Sequence, residues 1–420
     1  MKKLINLIYI IPLLLLVASC SDIGIFYSLE HEKVILEKNN LNNSAAFLNM
    51  VDTNPGNLTG FYIGNGGPTI YYRSKADDFS PWAALELPGG FGADPTNTSM
   101  ALAGTDLFIS RKSENGTSIV SGVYRLDISS LSSVTPVSTD WVQVVSPTNN
   151  VLSYYVYKLH VANGNIYINQ INMTRTPDQY ATPVIGSSDL YYIATGSVGT
   201  FNNTNFNSTP VTFGSEGNEV ISNIIYDATA TEYWMMFNDS TNGNIVSSAN
   251  ADLTALTDRT TATIDSKLVD MFIYDPPTPT VAVEVLVSNQ KGSIFYTKDT
   301  GTTWGTTAAK DGVQFNGFAD INTLTANNVI VGTTAVTSSG TGYYLIDMLA
   351  TSLTCVEPIS DITNFNSNIN NYNSSPLSDS SINGFLFDDS ANRRLFAYTR
   401  NEGVWMNIDD NNEGIIWTLE

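Results

Sequence analysis

The chain has 420 residues, a formal net charge of −21 and only 14% charged residues, against the usual ~25%. A surface that acidic repels phosphate backbones and anionic headgroups, which sets nucleic acid aside as a partner. Abundant Ser, Thr, Asn, Gly and Tyr suit short strands joined by many turns and suit helices badly, so the expectation is an all-β protein. The length exceeds what one core usually supports, which leaves several domains or a single repeat array.

The chain opens with Lys2 and Lys3, an apolar run from Leu4 to Leu16, and Val17-Ala18-Ser19-Cys20. The run is too short to span a bilayer and ends in small residues, as a secretory leader does. It resembles a bacterial lipoprotein signal, in which small residues precede a cysteine that is lipidated and becomes the new N-terminus. The resemblance implies that residues 1–19 are a signal peptide and that Cys20 is the lipid attachment. The protein would then be held at the cell envelope on its extracytoplasmic side, with the outer membrane favoured by Ser21. Each buried methylene of such an anchor contributes about 0.8 kcal/mol. Removing Lys2 and Lys3 with the leader takes the net charge from −21 to −23.

Residues 20–45 mix an apolar stretch (Ile23 to Leu29), a charged stretch (Glu30 to Lys38) and an Asn-rich segment, and are expected to form a tether whose apolar part docks as an extra strand. The remainder, 46–420, is expected to be one domain and a monomer. Cys355 is the second of only two cysteines. It lies in a strand-like run and is expected to act as a small apolar residue.

From residue 46 onward a pattern recurs. Apolar strands end in acidic turns at Ile224-Ile-Tyr-Asp227, Phe272-Ile-Tyr-Asp275, Gly317-Phe-Ala-Asp320 and Gly384-Phe-Leu-Phe-Asp388. The intervals approach the roughly 40–50 residues of a four-stranded propeller blade, the last being lengthened by a Ser/Asn-rich insertion. A second apolar strand follows each turn, and glycine opens a third, as in Gly292-Ser-Ile-Phe-Tyr296 and Gly403-Val-Trp-Met406. The repeat divides into units at 46–96, 97–148, 149–215, 216–265, 266–312, 313–378 and 379–420. The expected architecture is a β-propeller of seven four-stranded blades, closed by a sheet that combines strands from both chain ends.

In the fifth unit the third strand runs into Thr297-Lys298-Asp299-Thr300-Gly301-Thr302-Thr303-Trp304. This resembles the Asp box, S/T-x-D-x-G-x-x-W, of the Asp-box (BNR-repeat) propellers, which include sialidases and sortilin-type receptors. Asp410, Asn412, Gly414 and Trp417 form a weaker copy, and Asp77 with Trp82 a third. The carboxylate can accept turn N–H groups, glycine permits positive φ, and tryptophan covers the hairpin base. The resemblance implies a structural turn on the rim, so Thr297, Asp299, Gly301 and Trp304 receive no catalytic role.

The sequence nominates little chemistry. Sialidases carry a Phe/Tyr-Arg-Ile-Pro motif and an arginine triad, whereas the nearest segment here, Tyr72-Arg73-Ser74-Lys75, keeps two residues of that motif. A glycosidase of another kind needs two suitably spaced carboxylates. The best single candidate is Glu284, where strand alternation puts Ala282, Glu284 and Leu286 on one face, as a possible channel carboxylate. No second carboxylate stands out. His31 and His160 are too far apart for zinc spacing and argue against a Ser-His-Asp site. Asp409, Asn411, Glu413, Gly414 and Glu420 only approach a calcium-loop spacing. Neither metal nor cofactor is expected. Tyrosine doublets at 71–72, 154–155, 191–192 and 343–344 would place one ring on each side of a strand. The reading that results is a lipid-anchored, non-catalytic module binding an envelope protein or glycan. The alternative is an atypical glycoside hydrolase or lyase using Glu284.

Overall fold

The computed structural model describes Leu41 and, between residues 47 and 419, the strands with many of their turns. Residues 1–40 and 42–46, shorter loops, and longer connections such as 146–153, 175–183, 194–219, 276–283, 357–376 and 409–416 lie outside the described residues. The leader, Cys20 and the apolar stretch near Ile25 are therefore among the positions not described.

The strands form seven antiparallel sheets over residues 47–84, 96–145, 154–193, 220–258, 268–306, 313–356 and 382–419. Six have four strands, each hydrogen-bonded to the next in chain order, and the third has three among the described residues. That third sheet departs from the expected four-stranded blade; the connection that follows it, 194–219, is outside the described residues.

The first strands are Phe47–Thr53, Thr96–Ala103, Tyr154–Ala162, Val220–Asp227, Leu268–Tyr274, Val313–Asp320 and Ile382–Asp388. Each touches the first strand of the sheet before and after it, and the last touches the first. They therefore ring a common axis, with later strands stepping outward. This is a β-propeller.

Every first strand carries one extra residue relative to its partner. The pairing slips between Phe47 and Asn49, Asn97 and Ser99, Val156 and Lys158, Ile221 and Asn223, Leu268 and Met271, Asn316 and Ala319, and Ile382 and Gly384. Such bulges sharpen the strand's twist and re-aim the side chains beside it.

Tryptophans at the entrance to the outermost strand seal the sheets against one another. Trp82 shares a core with Phe396 and Tyr398 of the seventh sheet, and Trp141 with Tyr62 and Tyr72 of the first. Trp304 packs edge-on to Trp234 of the fourth at 6.4 Å, and Trp417 lies against Tyr343 of the sixth at 6.0 Å. In each case the ring reaches back to the preceding sheet. Leu253 and Leu353 fill the same place in the fourth and sixth sheets. Buried aromatic area is thus spent between sheets, where it holds neighbours in register.

Among the described residues, no strand from one chain end enters the sheet of the other; the apolar stretch near Ile25, expected to add such a strand, lies outside them. The tether reading changes at one point, because Leu41 is 1% exposed within the core shared by the first and seventh sheets.

Candidate axial site

The bulges aim polar groups from one first strand to the next. Asn49 Nδ2 donates to Met100 O at 3.1 Å, and Leu159 N donates to Ser99 Oγ at 3.0 Å. Lys158 Nζ donates to Ser222 O at 2.7 Å. Asn223 Nδ2 reaches Asp270 Oδ1 at 3.0 Å and Met271 O at 3.1 Å. Gly317 N donates to Asp270 Oδ2 at 2.7 Å, and Asn316 Nδ2 to Asn383 O at 3.1 Å. Six successive junctions are stitched in this way around the axis.

Asp270 is the centre of this belt. Its carboxylate accepts from the fourth sheet through Asn223, from its own strand through Met271 N at 2.9 Å, and from the sixth sheet through Gly317 N. Lys158 of the third sheet supplies the nearby opposite charge. Burial nevertheless dominates: it raises the Asp270 carboxyl above the ordinary value, against the opposing pull of Lys158 and the backbone donors. Burial likewise lowers the Lys158 ammonium, with Asp270 opposing. Both residues are half-buried.

His160 follows two residues later on the same strand and is 4% exposed. Burial, then Lys158, pushes its imidazole well below its ordinary value, with Asn223 opposing, so it is neutral. Its Nε2 has no hydrogen-bond partner among the described residues. Gly317 makes the close approach possible: at φ +64° it faces Gly384 so tightly that an added Cβ would fall 2.1 Å from Gly384 Cα.

Glu284, the carboxylate that the sequence nominates for the channel, lies elsewhere. It begins the second strand of the fifth sheet (Glu284–Asn289), opposite Tyr274, one step out from the axis. It has no solvent exposure, and it lies on the sheet side whose neighbours Tyr274 and Leu286 join the core shared with the sixth sheet. Lys298 Nζ stands 2.8 Å from its Oε1, although the approach is not that of a directed hydrogen bond. Burial raises the Glu284 carboxyl, with Lys298 opposing.

The Thr297–Trp304 segment closes as its residue types require. Asp299 Oδ1 accepts from Thr303 N at 2.8 Å and from Thr297 Oγ1 at 2.8 Å, and its Oδ2 from Thr303 Oγ1 at 2.6 Å. These bonds, led by Thr303, hold the Asp299 carboxyl below its ordinary value. Gly301 sits at φ +81° against Trp234 and Arg259, and Trp304 Nε1 donates to Arg259 O at 3.1 Å. Of the weaker copy, Trp417 is buried, whereas Asp410, Asn412 and Gly414 lie outside the described residues.

The described arginines serve separate tasks. Arg111 Nη1 donates to Pro88 O, Arg125 pairs with Asp106, Arg259 pairs with Glu232, and Arg394 Nη2 donates to Lys75 O. Tyr72, Tyr343 and Tyr344 are buried, so these members of the doublets pack rather than line an opening. Cys355 is a free, half-buried thiol that burial pushes up to about 12, which makes it a poor nucleophile. Among the described residues no group of three or more His, Cys, Asp or Glu side chains could hold a metal ion, and no helix is long and apolar enough to cross a membrane.

No family model and no curated protein matches the chain. Solved structures do. The structure "YCF48 bound to D1 peptide" is similar with TM-score 0.52 and 14% identity, over 88% of this chain and 94% of that one. The Dos1 propeller is similar with TM-score 0.51 and 10% identity, over 90% and 95%. A prolyl endopeptidase structure is similar with TM-score 0.50 and 8% identity, over 92% of this chain but 51% of that one. The likeness is one of fold. At such identities it carries no residue roles.

Sequence reasoning missed the belt. Its signal was a polar residue at or within the register slip of each inner strand: Asn49, Ser99, Lys158, Asn223, Asp270, Asn316 and Asn383. Reading the strands only for their apolar ends passed over it.

Proposed function

We propose that this protein is a lipid-anchored, extracytoplasmic propeller that binds a protein or glycan partner of the cell envelope without catalysing a reaction on it. The observation that carries the reading is the sealing of Glu284. A general acid must reach its substrate within hydrogen-bond distance, and this carboxylate is enclosed between two sheets beside Lys298. The axis offers amides, backbone groups and one lysine–aspartate pair held in a stitched ring, which suits recognition on a preorganised surface. The peptide bound to YCF48 makes a protein segment the first partner class to try. The Asp-box resemblance and the lipobox at Cys20 support the family and location parts of the reading.

The test is a pull-down from envelope extract, with a glycan array beside it, using the chain from Ser21 to Glu420 and scoring retained ligand and released sugar. Retention without turnover is expected. Sugar release that disappears in Glu284→Gln would overturn the reading in favour of a glycosidase. For the anchor, Cys20→Ala should move the full-length protein from the membrane to the soluble fraction, and its staying in the membrane would refute lipid attachment.

A further inference from the structure

We propose that Glu284 and Lys298 form a proton-operated latch: at neutral pH the buried carboxylate holds the lysine of the Thr297–Trp304 turn, and on protonation it releases that ammonium to the surface. The two residues lie one step beyond the Val285–Thr297 pair on adjacent strands, which sets their side chains opposite each other on one face of the fifth sheet. Lys298 Nζ stands 2.8 Å from Glu284 Oε1. The pair is asymmetric, because the glutamate side chain has no exposure whereas the lysine side chain is 39% exposed and has solvent within reach.

Little else holds Glu284 as an anion. Neither of its oxygens accepts a directed hydrogen bond among the described residues. Tyr274 stands opposite it on the inner strand, and its face of the sheet joins the core shared with the sixth sheet, which contains the ionisable side chains of Tyr274, Tyr296 and Tyr344 with Cys355 at the edge. Burial, opposed by Lys298, raises the carboxyl above its ordinary value. When the proton arrives, the carboxylate becomes a neutral acid that suits an apolar core, the ion pair ends, and Lys298 keeps its own proton and its charge. The turn is loosened rather than opened, because Asp299 still closes it with a carboxyl that the Thr303 bonds hold below the ordinary value. Nor is the release a step of acid denaturation. A carboxyl raised in the folded state contributes its stability in full below the unfolded value of 4.5 and loses it as pH rises through the folded one. Acid therefore hands a cation to the surface while the blade stays folded.

Two measurements on the full chain in detergent test the latch. Hydrogen exchange, corrected for its intrinsic pH dependence, should quicken in Thr297–Trp304 on the order of threefold or more as pH falls from about 7.5 to about 4.5, with Trp141–Val145 of the second sheet unchanged. Glu284→Gln and Lys298→Met should exchange at the fast rate throughout, and Lys298→Arg should keep the step. At a single pH near 7.5, acylation of Lys298 by a succinimidyl ester should be severalfold faster in Glu284→Gln than in wild type, because the amine is no longer reserved. A wild type without the step, a step that persists in Glu284→Gln, or equal acylation of Lys298 in the two proteins would overturn the proposal.

Discussion

Asp270→Asn is the sharpest test of the axial belt, because it keeps the side chain's shape while removing one acceptor and the charge. The carboxylate receives Asn223 Nδ2 and Met271 N on one oxygen and Gly317 N on the other. An amide can keep the first two bonds, but its NH2 then meets the Gly317 N–H. A bond to a charged acceptor contributes about 1.5–3 kcal/mol, and a buried donor left unpaired costs about the same. These are one loss seen from two sides, so the gross cost is about 2–3 kcal/mol. Part is offset, because the ionised carboxyl is itself disfavoured by burial, as its raised pKa shows. The net cost at pH 7 should be about 1–2 kcal/mol. Asp270→Ala loses both acceptor oxygens and with them all three bonds, and leaves Lys158 without its counter-charge, for about 3–5 kcal/mol. The pH dependence follows from the direction of the shift. A carboxyl raised in the folded state holds its proton more tightly there than in the unfolded chain. Its contribution is full below the unfolded value of 3.8 and is lost as pH rises through the folded value. The gap between wild type and Asp270→Asn should therefore narrow from acid to neutral pH. Urea unfolding followed by tryptophan fluorescence at several pH values measures it. A gap that widens with pH, or an Asn variant as stable as wild type throughout, would refute the belt as described.

Three further outcomes are expected. Trp304→Phe should cost about 1 kcal/mol, the bond to Arg259 O, and Trp304→Ala about 3 kcal/mol once the contact with Trp234 is also lost; equal costs in denaturant melts would mean that the ring's area contributes nothing. His160, held neutral below its ordinary 6.5, takes up a proton on unfolding, so stability should fall as pH drops below 6.5 until the folded group also protonates, and His160→Asn should flatten that limb of the urea midpoint against pH. Gly317→Ala should be severely destabilising, by more than about 3 kcal/mol, because both its positive φ and its contact with Gly384 forbid a Cβ. A soluble variant of near-normal melting temperature would contradict that packing.

The propeller was legible because its signals are local. Strand-ending aspartates and strand-opening glycines recur with the sheet, and the expected unit boundaries bracket the observed sheets to within one residue, the second sheet beginning at Thr96 rather than after it. The Thr297–Trp304 turn was legible for the same reason, since the bonds to Asp299 and Thr297 that close it lie within that segment. The axial site was not, because its partners lie one sheet apart, as with Asn223 and Asp270 or Gly317 and Asp270. Alternation did place Glu284 on one face with Leu286, but it could not say that this face meets the sixth sheet rather than the axis. Nor does anything near Leu41 in the sequence announce a core made with Phe396 and Met406.

The distribution of cations bears on what partner the surface can take. Lys75, Arg125, Arg259 and Lys298 are each paired with a carboxylate of the chain, and Lys158 faces Asp270. Part of the positive charge is thus engaged by the chain's own carboxylates, while the chain's net charge is −21. A phosphate-rich or acidic partner meets the repulsion of that net charge, and drawing on a cation such as Lys298 would leave the buried carboxylate of Glu284 unpaired. A neutral or cationic partner meets no such barrier, and hydrogen bonds to amides and backbone groups on a stitched, inflexible axis need little reorganisation when it arrives. The same economy that closes the ring therefore narrows the partner. For the binding role proposed above, it favours a neutral or cationic partner over an acidic one.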